Sequence, residues 1–240
     1  MENAEKLDRL FFELASESRL DILRELQTKN LKMQDLARKL DLTATEAFRQ
    51  LERLSAALLV QRQPDGAYAL TQYGRLELHL SSAMDFVLRN KQYFLTHDIW
   101  LLPRQFVNRI GELSQATLKM GLIESTFKSS QMIGEAKQRM WAISPEPLPQ
   151  SFDTLATQIP EGVEYRILSP QLPAKFLNLE NRTLTESPAI LALTEKEAAL
   201  CFRFMDGRVD YAGFIGDGEV FLNWVKDLFL YYWDKGKRVL

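Results

Sequence analysis

The chain has 240 residues, of which 46% are hydrophobic and 26% are charged, a composition typical of folded globular proteins rather than disordered or fibrous ones. No apolar run approaches the ~20 residues that a membrane-spanning helix needs, and the charged N-terminal segment lacks the apolar centre of a signal peptide. We therefore expect a cytoplasmic protein without membrane contact. The single cysteine, Cys201, excludes an intramolecular disulfide and a cysteine-rich metal site, and we expect no metal ion and no cofactor.

The net charge of −2 does not indicate a nucleic-acid-binding protein, but the charge is unevenly distributed. Residues 29–62 contain seven basic and four acidic side chains and so carry a net charge of +3. Attraction to phosphate is local, so this segment is compatible with DNA contact. A solvated surface of mixed charge gives the same pattern.

The spacing of apolar residues predicts four short helices before the sixtieth residue. The last of them begins with Thr43 and Glu46, a hydroxyl and a carboxylate three residues apart, which can satisfy the free N–H groups at a helix start. The four helices are predicted at about 7–14, 20–26, 33–40 and 43–59.

The fourth predicted helix has two distinct sides. At about 100° per residue, the apolar residues fall within a narrow arc that we expect to be buried. These residues are Ala47, Leu51, Leu54 and Leu58. Arginines lie on the outer side, which is the pattern of a helix-turn-helix whose second helix contacts DNA. The candidate DNA contacts on this helix are Thr43, Thr45, Phe48, Arg49 and Arg53.

A β-hairpin is predicted directly after this helix. Residues 59–62 and 67–70 have the pattern of two strands, and Pro64–Gly66 forms a tight turn between them. Thr71 then caps a further helix. A hairpin in this position is the wing of a winged helix, and it can bring Arg62 close to a phosphate or the minor groove.

The segments LASESRLDILREL, MQDLARKLDLTATEAFRQLERLSAALLV and YALTQYGR resemble winged-helix regulators of the arsenical-repressor type. The resemblance implies a domain that binds double-stranded DNA. Metal-sensing members of that family carry cysteines on a helix, and this segment has none, so metal sensing is not implied. The family's small polar residue near the middle of the recognition helix corresponds to Phe48. That ring either packs under the wing or meets a thymine methyl in the major groove.

Residues 72–98 have the pattern of one long helix. Its apolar positions, from Leu76 to Leu88, either pair with a second copy in a homodimer or pack onto the C-terminal part of the chain. His97 is followed by an acid, Asp98, but has no second histidine nearby. A hydrogen-bonded structural role is therefore favoured over catalysis or metal binding.

The remaining residues alternate between helix and strand patterns, which predicts an α/β layer with a mixed sheet. Helices are predicted at 106–118, 127–136 and 221–232, and strands at 140–144, 163–169, 189–193, 198–205 and 209–215. The predicted fold class is α+β or α/β. We expect a winged helix-turn-helix at 1–75, a helical linker at 76–102 and an α/β sensor or interaction domain at 103–240.

The segments FLTHDIWLLPRQFVNRIGEL, AKQRMWAISPEP and FRFMDGRVDYAGFIGDGEVFLNWVKDLFLYYWDKGKRV resemble archaeal transcriptional regulators typified by the methanogenesis regulatory protein. That resemblance implies a sensing second domain whose topology is similar to phospholipase-D-like folds. Those enzymes need a histidine and a lysine two positions apart, and neither His79 nor His97 has that lysine. The sequence also lacks the motifs of a phosphate-binding loop and of the common hydrolases, so we expect that the protein is not an enzyme.

These patterns predict a homodimeric DNA-binding transcriptional regulator whose C-terminal domain binds a small-molecule effector or a protein. The alternative is a winged helix that contacts other proteins in a transcription complex instead of DNA. Arg49 and Arg53 favour DNA, whereas Glu46, Phe48 and Glu52 on the same helix leave room for a protein partner.

Overall fold

The computed structural model of the chain describes residues 7–119, 128, 131–132, 134–144, 162–171 and 181–238. The chain divides into two compact units, Met1–Ser82 and Ala83–Leu240, and the boundary lies within one helix. Each unit has its own cluster of buried apolar side chains.

The N-terminal unit is built mainly from helices. They are α1 (Leu7–Leu14), α2 (Glu17–Thr28), α3 (Met33–Lys39), α4 (Ala44–Ala56) and the first part of α5 (Gln72–Arg89). The four helices predicted before residue 60 are confirmed. Their apolar sides enclose a core whose most buried members are Ile22, Leu23, Leu26, Leu36, Leu51, Leu54 and Leu59.

The predicted burial of Leu58 is wrong, because α4 ends at Ala56 instead of continuing to about Leu59. Leu58 has a positive φ of 58° and is 62% exposed. The amide of Leu59 donates to the carbonyl of Leu54, which closes the helix and turns Leu59 into the core in place of Leu58. The hydroxyl of Thr71 donates to the Leu58 carbonyl at 2.6 Å and holds this reversal.

A small antiparallel sheet completes the N-terminal unit. Its strands are β1 (Leu31–Lys32), β2 (Val60–Arg62) and β3 (Ala67–Leu70), in the order β1-β3-β2. The amide of Gly66 donates to the Gln63 carbonyl at 2.9 Å, and Gly66 has a φ of 83°, which glycine adopts without strain. The predicted hairpin strands are confirmed. The sequence did not predict β1, since two residues are too few to show periodicity.

The C-terminal unit contains an eight-stranded sheet. Its strands are β4 (Thr117–Lys119), β5 (Arg139–Ile143), β6 (Glu164–Ser169), β7 (Arg182–Thr183), β8 (Ala189–Thr194), β9 (Ala198–Phe202), β10 (Gly213–Gly216) and β11 (Lys237–Arg238). The order is β11-β7-β6-β5-β8-β9-β10-β4. The β5–β6 and β6–β7 pairs are parallel and the others antiparallel, so the predicted mixed sheet is confirmed.

One long helix, α8 (Glu219–Lys235), packs on this sheet. Its predicted apolar stripe is confirmed, and Trp224 and Phe229 are fully buried. Phe229 stacks on Trp141 of β5 at 4.9 Å between ring centroids, which places α8 on the side of the sheet that carries Trp141.

The predicted long helix over residues 72–98 is wrong. The helix α5 ends at Arg89, and a separate turn, α6 (Lys91–Phe94), follows Asn90. The side-chain amide of Asn90 donates to the Phe86 carbonyl at 2.9 Å, and short polar side chains that bond to the backbone in this way favour helix ends.

The prediction of a helix at 106–118 is only partly correct. The structure has α7 (Arg104–Val107) and a 3₁₀ helix at Ile110–Gln115, while Leu118 lies in β4. The helix predicted at 127–136 falls largely outside the described residues.

His97 has the hydrogen-bonded structural role that was predicted. It is 4% exposed, its Nε2 lies 3.0 Å from Asp210 Oδ2, and its Nδ1 lies 2.8 Å from the Tyr93 carbonyl oxygen. The imidazole is stacked on the rings of Tyr93 and Phe204, at 3.7 Å and 4.6 Å between centroids. These contacts fix the segment after α6 against the turn that precedes β10.

We predict that Gly74→Ala destabilises the N-terminal unit by about 1–3 kcal/mol through overpacking, although alanine is the better helix former. A Cβ at Gly74 would lie 2.0 Å from the Leu59 carbonyl oxygen, so the first turn of α5 would have to move. Urea denaturation measures the change. Gly134→Ala is the matched control, because among the described residues no atom lies within 4 Å of its added Cβ. Equal stability of the two variants would contradict this packing.

Candidate nucleic-acid interface

The start of α4 is exposed and capped. The Thr43 hydroxyl accepts a hydrogen bond from the Glu46 amide at 3.2 Å, so the predicted N-cap is present. Thr45 lies in the first turn and is also exposed. The first-turn N–H groups of a helix carry partial positive charge, which favours anions near Thr43 and Thr45.

One side of α4 is buried without gaps. Ala47, Leu51 and Leu54 have no exposed surface, as predicted. Gln50 lies among them at 6% exposure, and its amide oxygen accepts a hydrogen bond from Arg19 Nη1 at 3.0 Å. The apolar spacing did not predict this burial, because glutamine is polar and its partner lies 31 residues earlier in the chain.

The opposite side of α4 carries Phe48, Arg49 and Glu52, all exposed. Phe48 is 52% exposed, so the interpretation that it packs under the hairpin is wrong. Within the described ranges no carboxylate pairs with Arg49. Its positive charge is therefore available to a partner.

Arg53 differs from Arg49 because α1 engages it. Its Nη2 lies 2.6 Å from Glu13 Oε1 and its Nε lies 3.0 Å from Oε2, a bidentate pair. The guanidinium also lies over the Phe12 ring at 5.0 Å. These contacts tie α4 to α1, although 38% of the Arg53 side chain stays exposed.

Glu13 is the centre of this polar network. Besides Arg53 it contacts Arg19 of α2, with Nε at 3.2 Å from Oε2. The hydrogen bonds from Arg53 hold the pKa of Glu13 below its ordinary value; burial opposes that shift, and the charge of Arg19 adds to it. The spacing of residues does not predict this role, because a pair of residues 40 positions apart has no periodic pattern.

The hairpin presents a second exposed arginine. Arg62 lies at the end of β2 opposite Tyr68, and its guanidinium folds over the turn, 3.7 Å from the position that a Cβ at Gly66 would take. Of the residues described, no acid pairs with Arg62. By contrast, Arg38 pairs with Asp35, and Lys39 pairs with Glu25.

The N-terminal part of the chain matches a known family model. The family model named HVO_A0261 N-terminal domain matches residues 7–88, which is about a third of the chain and includes α1 to α5 and the hairpin. The search of curated proteins by sequence found no match.

Among solved structures, the chain is similar to TrmBL2, described as an archaeal chromatin protein with a novel mode of DNA binding. The identity is 16%, the TM-score is 0.40, and the match covers 98% of this chain and 100% of that one. It is also similar to the dimethyltransferase RosA from Streptomyces davawensis, at 14% identity and a TM-score of 0.27, over 73% of this chain and 63% of that one. At these scores neither likeness assigns a fold or an activity.

Across the described part of the chain, no group of three or more histidine, cysteine or acidic side chains is arranged to hold a metal ion. None of the helices described has the length and hydropathy needed to cross a membrane.

We predict that Glu13→Gln lowers the free energy of unfolding at pH 7, because it leaves Arg53 and Arg19 without their shared carboxylate. The folded-state pKa of Glu13 is lowered, so its contribution to stability is present above the unfolded-state pKa of about 4.3 and is lost as the pH falls through the folded-state value. The stability difference between wild type and variant should therefore shrink below about pH 4.

Urea denaturation across the acidic range measures this difference. Glu52→Gln is the matched control, because it removes the same charge from an exposed position on α4. A Glu13→Gln effect that stays constant down to pH 2 would show that the carboxylate does not act through its charge.

Proposed function

We propose that the protein is a DNA-binding transcriptional regulator, with a winged helix-turn-helix in its N-terminal unit. In this proposal α4 is the recognition helix and the β2–β3 hairpin is the wing. The observation that carries it is the contrast between the two sides of α4. One side is buried, and the other presents Arg49, which has no acidic partner among the described residues; the hairpin that follows presents Arg62, which likewise has none there.

Each candidate residue has a separate role in this proposal. Arg49 contacts a base edge in the major groove, where an arginine can donate two hydrogen bonds to guanine, and Phe48 contacts a thymine methyl. Thr43 and Thr45 lie at the positive end of α4 and contact a phosphate. Arg62 contacts a phosphate from the wing.

Arg53 has a supporting role in the proposal. Its guanidinium is engaged by Glu13, so it holds α4 against α1, and only its exposed fraction is left for a phosphate. The resemblance to winged-helix regulators of the arsenical-repressor type supports the assignment of the whole segment from α2 to α5.

The second candidate is a winged helix that binds another protein. The half-exposed ring of Phe48 favours it, because exposed aromatic side chains are enriched in protein interfaces. The two candidates differ in their dependence on salt. Phosphate contacts release counterions, so binding to duplex DNA weakens steeply as the salt concentration rises.

We predict that Arg49→Ala weakens binding to a duplex containing a genomic site by about 1–3 kcal/mol, the cost of one bidentate base contact. The melting temperature should hardly change, because substitutions on the surface alter stability by about 0.5 kcal/mol or less. Fluorescence anisotropy on sites mapped by chromatin immunoprecipitation measures the affinity.

Arg62→Ala should instead weaken binding to all DNA sequences by a similar factor and reduce the slope of log affinity against log salt concentration by about 1.

Leu51→Ala is the control for these variants. Because it creates a cavity in the core, it should lower the free energy of unfolding by about 2–5 kcal/mol. If wild type binds duplex DNA and Arg49→Ala binds equally well, the assignment of the recognition side is wrong. If wild type shows no salt-dependent binding to any duplex, the protein-binding candidate replaces the DNA-binding one.

We also propose that the regulator is a homodimer joined through α5. This helix exposes large apolar side chains along one side, spaced three or four residues apart from Tyr73 to Val87 and continued by Leu88, each 37–65% exposed. The stripe consists of Tyr73, Leu76, Leu80, Met84, Val87 and Leu88. Pairing two copies along this stripe would remove these apolar side chains from water, which is favourable in proportion to the apolar area buried.

We predict that the double substitution Leu76→Asp, Leu80→Asp converts the dimer into a monomer, because it places charges inside the paired stripe. Sedimentation velocity measures the assembly state. Ser82→Asp is the control, since it adds a charge on the other side of the same helix, and it should leave the dimer intact. A wild-type protein that sediments as a monomer at high micromolar concentration would contradict the dimer without affecting the assignment of α4.

A further inference from the structure

Four arginines lie on one side of the C-terminal sheet, one on each of four adjacent strands. Arg139 is in β5, Arg166 in β6, Arg182 in β7 and Arg238 in β11. Trp141 is paired with Arg166, Leu168 with Arg182, and Arg182 with Arg238. Paired residues share a side of the sheet, as do alternate residues in one strand, so all four share the side of Trp141. We call this set the arginine row.

Two buried indole rings alternate with these arginines. The Arg139 and Arg166 guanidiniums lie over Trp141 at 5.4 and 5.2 Å from the ring centroid. Arg166 and Arg182 lie over Trp233 of α8 at 5.3 and 4.5 Å. Stacking of this kind attracts the cations to the rings and keeps the first three arginines half-buried beside one another.

The positive charge of the row exceeds the negative charge around it. Glu164 pairs with Arg166 at 2.7 Å, and Arg182 donates to the Trp233 carbonyl at 2.6 Å. In the described ranges, no carboxylate pairs with Arg139, Arg182 or Arg238. Arg182 and Arg238 are directly opposite each other in an antiparallel pair, a position in which like charges repel.

Trp141, the ring beneath Arg139 and Arg166, also carries a buried indole N–H. Trp141 is 5% exposed, and its Nε1 has no hydrogen-bond acceptor within the part of the chain that the structure describes. An indole N–H only donates, and a buried donor without an acceptor is unfavourable. Among the described residues, the row around Trp141 consists of this N–H donor and the cations Arg139 and Arg166, with Glu164 as the carboxylate paired with Arg166.

We propose that the arginine row binds a small phosphate-bearing molecule. Phosphate oxygens accept paired hydrogen bonds from guanidinium groups, and a dianion compensates the excess charge better than one carboxylate. Strands are about 4.8 Å apart, and the row also moves two residues along the strands from β5 to β6 and again from β6 to β7, so it runs diagonally over about 20 Å, enough for a ligand with more than one phosphate. A small ligand fits better than duplex DNA, because Arg139, Arg166 and Arg182 are half-buried.

All residues of this site lie in the C-terminal unit, so the proposal that it binds a phosphate-bearing molecule does not depend on the proposed function. Only its role as the effector site of a transcriptional regulator rests on the proposed function. The test uses the full chain and inorganic pyrophosphate, compared with chloride at equal ionic strength. We expect saturable binding in calorimetry and a rise in melting temperature. The double variant Arg139→Gln, Arg238→Gln should lose at least tenfold in affinity, whereas Arg104→Gln, Arg208→Gln, which removes the same charge from exposed positions, should bind as wild type does.

A measurement on the wild type alone tests the site independently of how the variants fold. In ¹H–¹⁵N spectra, pyrophosphate should shift the indole resonance of Trp141, assigned with Trp141→Phe. The resonance of Trp100, which is 76% exposed, should not move.

The proposal is overturned if pyrophosphate has no saturable effect beyond that of chloride, or if the arginine-row variant binds it as wild type does. It is also overturned if the variant lowers the salt slope of DNA binding while pyrophosphate does not bind, since the row would then contact DNA. Wild type that binds pyrophosphate but no duplex would contradict the proposed function and leave this site in place.

Discussion

A single carboxylate joins α4 to two other helices. Glu13 of α1 pairs with Arg53 of α4 and with Arg19 of α2, and Arg19 in turn donates to the buried Gln50 of α4. The apolar core fixes which side of α4 is inside, whereas these directional bonds fix its rotation and its position along its axis. Removing one member leaves a partly buried charge unpaired, which is costly. The exposed position of Arg49 is therefore a consequence of contacts made on the other side of the helix.

Periodicity predicted the parts of the N-terminal unit that local rules control. The spacing of Ala47, Leu51 and Leu54 gave the buried side of α4, and Asp65-Gly66 gave the hairpin turn, since both depend on residues close together in the chain. The predicted burial of Leu58 was wrong, because α4 ends at Ala56. Periodicity could not find Glu13 or the burial of Gln50, because their partners lie 40 and 31 residues away and nothing in local spacing records such a pair.

In the C-terminal unit, too, local spacing predicted elements of secondary structure but not the contacts between distant segments. Its longer strands and α8 were predicted close to their observed bounds, but the order of strands was not, because pairing joins segments that are distant in the chain. The two-residue strands β7 and β11 were not predicted, and β11 brings Arg238 beside Arg182. The arginine row thus has no pattern in the sequence. The long helix expected at 72–98 failed for a local reason, since the Asn90 amide competes for a helix carbonyl.

A chain with a net charge of −2 can still carry two basic surfaces, because charges interact over only about 8–10 Å at physiological ionic strength. The two surfaces hold their cations differently. Arg49 and Arg62 are exposed to solvent, where a large polyanion can reach them, and in the proposed function counterion release contributes to the free energy of binding. Arg139, Arg166 and Arg182 are half-buried against indole rings, where an extended phosphate backbone has little access and a small anion meets several donors together. If both proposals hold, the burial of the arginines, more than their number, determines which anion each surface selects.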